Sequence, residues 1–128
     1  MRINKRAWLI GMGAVLTLPL AVAQPVNKPL RIIVAFAAGG PVDAMARTLA
    51  EPLGKILGRV VIVENKPGAS GAIGAGEVLK SEADGSTLWL TSVGAAAINQ
   101  SLYAKLSYNM QKDFTPVSLV ANNVEVFV

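Results

Sequence analysis

The residues best placed for chemistry are few, and their chemistry belongs mainly to the backbone. Gly39-Gly40-Pro41-Val42-Asp43 carries one carboxylate, no base and no nucleophile. Two adjacent glycines remove the Cβ atoms from a stretch of chain, so a ligand can approach its amide groups closely. Pro41 suits the first position of a helix, where a missing N–H costs nothing. Asp43 then falls at the third helical position. From there its carboxylate reaches back to the capping backbone and favours the positive helix end. This combination offers capture of an anion by backbone amides. Ala38, Gly39 and Gly40 are the candidate contacts, Phe36 is a candidate wall, and Pro41 and Asp43 hold the loop. A tight turn that needs glycine for its own geometry explains the same pattern, and both readings stand.

Two further stretches point the same way. Gly68, Gly71, Gly74 and Gly76 are spaced Gly-x-x-Gly-x-x-Gly-x-Gly, which is neither the Gly-x-Gly-x-x-Gly dinucleotide fingerprint nor a Walker loop with its Gly-Lys-Ser/Thr. Ser70 and Gly71 open a helix there and are candidate ligand contacts, with the Ser70 hydroxyl as a candidate donor; close helix packing accounts for the glycines equally well. Thr91 and Ser92 end another apolar run, and strand alternation turns only one of them toward a cleft; Ser92 is the candidate. Trp89 lies mid-strand and reads as core. Glu64 and Asn65 close a strand, in either a loop-stabilising or a binding role. Asp43 and Glu64 would have to meet to form an acid–base pair, and nothing in the sequence brings them together. The absence of histidine and cysteine excludes Ser-His and Cys-His sites, disulfides and the commonest metal ligands within these residues. No metal site, catalytic residue or cofactor is expected.

The elements that must position these residues follow from periodicity. Leu30–Phe36 is a short apolar run rich in β-branched residues, as expected of a buried parallel strand. From Pro41 to Leu57 the apolar positions Val42, Met45, Leu49, Leu53 and Ile56 recur at helical spacing, with Arg47, Glu51 and Lys55 on a solvated face. Pro52 is expected to kink that helix or end it early, and Gly58 to cap it. Val60–Asn65 reads as a second buried strand, residues from about Gly71 to Ser81 as a second helix, and Thr87–Ser92 as a third strand. A third helical stretch runs from about Ala95 to Tyr103. Two apolar runs follow, Val117–Ala121 and Val124–Val128, and supply the last strand of a β-α-β-α-β-α-β alternation. The fold class is therefore α/β, a mostly parallel sheet with flanking helices.

The first 23 residues read as a targeting segment. Arg2, Lys5 and Arg6 precede an apolar run from Ala7 to Val22, and Ala21-Val22-Ala23 is a small-x-small cleavage site. The run falls short of the roughly 20 residues of a bilayer span. The net charge of +4 includes these three cations. Without them the chain is near neutral, with no basic run, so nucleic acid is not an expected partner.

Taken together, "IVAFAAGGPVDAMARTLAEPLGKILG", "VVIVENKPGASGAIGAGEVLKSEADGSTLWLTSVGAAAIN" and "YNMQKDFTPVSLVA" resemble the tripartite tricarboxylate transporter receptor family, also called the Bug family of periplasmic solute-binding proteins. The most specific parts are Gly39-Gly40-x-x-Asp43, Glu64-Asn65-Lys66-Pro67-Gly68 and Asp113-Phe114-x-Pro116-Val117. The resemblance implies one lobe of a two-lobed, Venus-flytrap fold, and a small organic acid or acidic amino acid as ligand. It also implies periplasmic location and delivery to integral-membrane permease subunits, without catalysis. The family commonly has prolines around the first-loop phenylalanine and before the glycine pair. Here those places hold Ala35, Ala37 and Ala38, so an amide at Ala38 is available where a proline has none. Family chains are more than twice this length. Residues 24–128 accordingly resemble the N-terminal part of the first lobe, with the second lobe absent. The competing expectations are an exported α/β enzyme whose catalytic residues lie in the missing C-terminal part, and an envelope structural protein without a small ligand. Cleavage after Ala23 is expected to give a mature N-terminus at Gln24; mass spectrometry of the exported protein checks it, and an intact Met1 in the periplasmic fraction contradicts it.

Overall fold

A computed structural model describes residues 28–122. The expected targeting segment and the run Val124–Val128 lie outside the described residues. Three parallel strands form the sheet: β1 (Leu30–Val34), β2 (Val61–Asn65) and β3 (Thr87–Leu90), in the order β2-β1-β3. Leu30 pairs with Val61, and Arg31 with Thr87. The helices are α1 (Pro41–Leu57), α2 (Ala72–Leu79), α3 (Asn99–Leu102) and α4 (Met110–Asp113), with a 3-10 turn at Ala69–Gly71 and a π turn at Gly94–Ile98.

β1 is the central strand, and its apolar residues Ile32, Ile33 and Val34 are buried on both faces of the sheet. Ile33 and Val34 are fully buried. On one face Ile32 and Val34 pack with Ala46 of α1, joined by Phe36, Val42, Leu53, Val61, Val63 and Leu90. On the other face α2 lies against the end of β1. A Cβ on Gly74 would stand 3.3 Å from the Ala35 backbone and 3.2 Å from the Trp89 indole nitrogen. Arg31 ties the same face together, donating to both carboxylate oxygens of Glu64 at 2.7 and 3.0 Å and to Glu77 of α2 at 3.2 Å. Beyond β3, Trp89, Tyr108 and Phe114 form an aromatic cluster with ring centroids 5.0–6.1 Å apart. Trp89 is thus core, as its mid-strand position suggests.

The expected α/β alternation holds through the third helical stretch, with corrections. β2 is not a buried strand. It lies at an edge of the three-stranded sheet, starts at Val61 and leaves Ile62 exposed. Helix α1 does not end at Pro52; it continues to Leu57, where Gly58 adopts the expected left-handed cap (φ 63°). Ile56 does not join the core: it is 80% exposed, because the last turn runs past the sheet it would have to cover. The run Val117–Ala121 forms no strand, and Val117 and Leu119 are 79% and 75% exposed. Strand propensity requires a neighbouring backbone to pair with, and none of the described strands lies beside it. Helix α4 was not legible from periodicity, being a single turn. It is set by Asn109, whose side chain accepts from the amides of Gln111 and Lys112, and by Asp113, which accepts from the Asn109 amide at 2.7 Å.

The two glycines Gly71 and Gly76 separate the packing and propensity effects. A Cβ on Gly71 would lie 2.8 Å from Ala95 Cβ on backbone with φ 94°, whereas one on Gly76 meets nothing within 4 Å. Gly71→Ala is expected to destabilise by about 2–4 kcal/mol, combining overpacking with the left-handed penalty. Gly76→Ala is expected to stabilise by about 0.5–1 kcal/mol. Denaturant melts of the two variants check the opposite signs.

Candidate functional site

All three strands run the same way, so the β1–α1 loop, the β2–α2 loop and the residues after β3 emerge at one edge of the sheet. The carboxyl edge of a parallel sheet is where open α/β folds bind ligands. The central feature there is Asp43, 4% exposed in the first turn of α1. Its Oδ2 accepts from the Gly39 amide at 2.8 Å and from Arg47 Nε at 3.0 Å, and its Oδ1 accepts from Asn65 Nδ2 at 2.9 Å. Asn65 Nδ2 also donates to the Phe36 carbonyl at 3.1 Å, and Asn65 Oδ1 accepts from Arg47 Nη2 at 3.2 Å. The amide of Asn65 therefore spends both donors and its acceptor on this ring, which fixes its orientation. One closed set of bonds clamps the end of β1, the start of α1 and the end of β2. The Arg47 guanidinium, the Gly39 amide and Asn65 together lower the Asp43 carboxyl to about 2.

The clamp decides which amides of the first loop remain available. Gly39 gives its N–H to Asp43, and the Gly40 amide points at the Ala37 carbonyl at 3.4 Å. The Ala38 amide makes no hydrogen bond with the described residues. Helix α1 is capped by Gly40, which offers no side chain, so the free amides of its first turn sit at a positive helix end. Residues 37–39 are exposed, while Phe36 is half-buried against the α1 core.

In the second loop the chain takes four successive positive φ angles: Gly68 122°, Ala69 46°, Ser70 51° and Gly71 94°. For Ala69 and Ser70 such angles cost about 1–3 kcal/mol each. Nonlocal bonds hold them. Asn99 Nδ2 donates to the Ser70 carbonyl at 2.8 Å, and Tyr108, packed beneath Asn99, donates to the Ala95 carbonyl at 2.5 Å. The Ser70 and Tyr103 hydroxyls bond each other at 2.9 Å. One of those two O–H hydrogens is left over, because one hydroxyl must accept. Gly71 is not the ligand contact expected: it is buried where the ends of β1 and β3 meet the π turn, and its amide is given to the Gly68 carbonyl. In the third loop Ser92 is half-buried and its hydroxyl has no partner among the described residues, whereas Thr91 Oγ1 is sunk out of water. Among the described residues no three His, Cys, Asp or Glu side chains gather as metal ligands.

Arg47 corrects the reading of its helix face as merely solvated: although 55% exposed, it bridges Asp43 and Asn65. The i, i+4 spacing from Asp43 was the available signal. Asn99, Tyr103 and Tyr108 had no local signal, since each meets the site through tertiary contacts. Glu64 turns to the opposite face from Asn65 and pairs with Arg31, so Asp43 and Glu64 do not form an acid–base pair.

Residues 45–128 match the family described as tripartite tricarboxylate transporter family receptor. The chain is 42% identical over 108 residues to protein BugT of Bordetella pertussis, an alignment covering 79% of this chain and 33% of BugT. Among solved structures, MatC from Rhodopseudomonas palustris with bound malate superposes with a TM-score of 0.69 at 38% identity, over 76% of this chain and 33% of that one. An R. palustris protein with adipate gives 0.67 at 34% identity, over 73% and 31%. The chain thus spans about a third of the length of these relatives.

Asp43 carries a pH signature. Its folded value lies below the unfolded carboxylate value of about 3.9, so its contribution is complete above that value and is lost as pH falls through about 2. Asp43→Asn is expected to lower stability at neutral pH. It should also flatten the stability–pH curve between those limits by up to about one proton equivalent. Melts of both proteins across that range check it; parallel curves would contradict it.

Proposed function

Because the chain belongs to the tripartite tricarboxylate transporter receptor family, we propose that it forms the first-lobe side of a periplasmic receptor's ligand cleft. The receptor captures a small carboxylate-bearing solute, a dicarboxylate, tricarboxylate or acidic amino acid, for delivery to integral-membrane permease subunits. The observation that carries this reading is the exposed, uncapped start of α1 beside the spare Ala38 amide, on the sheet edge that also bears Ser70 and Ser92. Relatives of the same fold hold malate and adipate, which are acids of this class.

In the proposed arrangement one ligand carboxylate sits over the Ala38 amide and the first turn of α1. Gly39 and Gly40 contribute the absence of side chains, which allows the approach. Ser92 and the Ser70–Tyr103 hydroxyl pair add donors from the neighbouring loops. Phe36 walls the base of the loop, and Gly71 lets the second loop sit close to β1. A charge-assisted hydrogen bond is worth about 1.5–3 kcal/mol, and the helix end adds about 0.3–1 kcal/mol. Asp43 stays out of contact with the ligand. Both its oxygens are occupied, and Arg47 offsets its charge.

Gly40 has ordinary extended backbone (φ −79°), and a Cβ there meets only the Ala37 carbonyl at 3.4 Å. Gly40→Val therefore keeps the fold while placing a branched side chain under the ligand. Titration calorimetry with malate and adipate is expected to show binding at least about tenfold weaker than wild type, or 1.4 kcal/mol, at an unchanged melting temperature. Equal affinity would contradict the cradle.

A further inference from the structure

A second feature lies away from the loop cluster, along the outer edge of β2. The Val60 carbonyl accepts from Leu30 and the Lys66 amide donates to Val34. Residues 60, 62, 64 and 66 thus turn their backbone groups toward β1. By strand alternation Val61 and Val63 turn theirs to the other side, where no described strand pairs with them. That side borders a groove of about 770 Å³ between β2 and α1, floored by Val61 and Val63 and lined by Arg47, Glu51, Lys55 and Arg59. Three cations face one carboxylate. Arg47 is answered by Asp43 and Lys55 by Glu51, but the Arg59 guanidinium has no partner among the described residues, with Nε and Nη2 out of water. Arg59 is half-buried, so its guanidinium is only partly desolvated, and a carboxylate meeting its remaining nitrogen, Nη1, offsets the cost of leaving it unpaired. Unpaired strand edges likewise accept an added strand.

We propose that this edge takes up an extended, acidic segment of a partner protein as an added strand beside β2, its backbone pairing with Val61 and Val63 and one of its carboxylates meeting Arg59. A free small anion would satisfy Arg59 and leave the backbone groups unpaired. A second copy of this chain pairing through the same edge would set one cationic groove against another. The acidic strand meets both demands.

The test uses the purified protein and a blocked peptide of alternating glutamate and valine, with a lysine–valine peptide and free glutarate as controls. Fluorescence anisotropy is expected to show the glutamate peptide binding at least about tenfold tighter than the lysine peptide, and Arg59→Gln removing that preference. Hydrogen exchange at the Val61 and Val63 amides is expected to slow when the peptide is bound and to stay unchanged with glutarate. Val63→Pro removes an outward donor without touching the β1 ladder and is expected to abolish binding. If that variant fails to fold, the exchange measurement on the wild-type protein decides. Absence of peptide binding, equal binding of the lysine peptide, unchanged affinity in Arg59→Gln, or unprotected Val61 and Val63 amides in the complex would each overturn the proposal.

Discussion

The architecture at the carboxyl edge of the sheet depends on one side chain, the carboxylate of Asp43. A buried carboxylate is tolerable only when its lone pairs are met, and here an arginine, an asparagine and a backbone amide meet them. Each partner comes from a different place: the glycine loop, the next turn of α1 and the end of β2. Satisfying the charge therefore also sets the loop. With Gly39 turned inward to the carboxylate, the loop amides without a bond among the described residues include those just before it, at Ala37 and Ala38, and the helix start is left open. The open start of α1 follows from how the protein meets the needs of its own anion.

The second loop reaches its shape by tertiary restraint. Ala69 and Ser70 adopt backbone angles that disfavour side chains, and the flanking glycines cannot relieve that. The bonds from Asn99, itself seated over Tyr108, hold the turn from the far side of β3. Gly71 makes the arrangement possible by admitting Ala95 at a distance that a side chain would forbid. Stored strain of this kind persists only where the surroundings over-determine it. The Ser70 hydroxyl is thus placed by residues some 30 positions away in sequence.

Legibility tracked locality. The β1 strand, the start of α1 at Pro41 and the cap at Gly58 were readable because each is dictated by neighbours in the chain. The Asp43 role was readable in kind, although the carboxylate reaches Gly39, one residue beyond the cap. Arg47 and Asn65 were each visible as residues, but their closure into a ring with Asp43 needs the β1–β2 register, which periodicity does not carry. Burial was the weakest inference. Val60–Asn65 and Val117–Ala121 have the composition of interior strands, yet among the described residues one is an edge and the other forms no strand, since composition does not say which backbone lies alongside. Asn99, Tyr103 and Tyr108 escaped notice for the same reason.

The central claim is that a carboxylate ligand is held by amides the protein has not used for itself. Amide chemical shifts of the isotope-labelled protein during a malate titration test it most directly. The account predicts a large, saturable downfield movement at Ala38 and in the first turn of α1, with Gly39 shifting little because its hydrogen remains on Asp43. A titration in which malate binds while Ala38 and the first turn of α1 stay unmoved would contradict it.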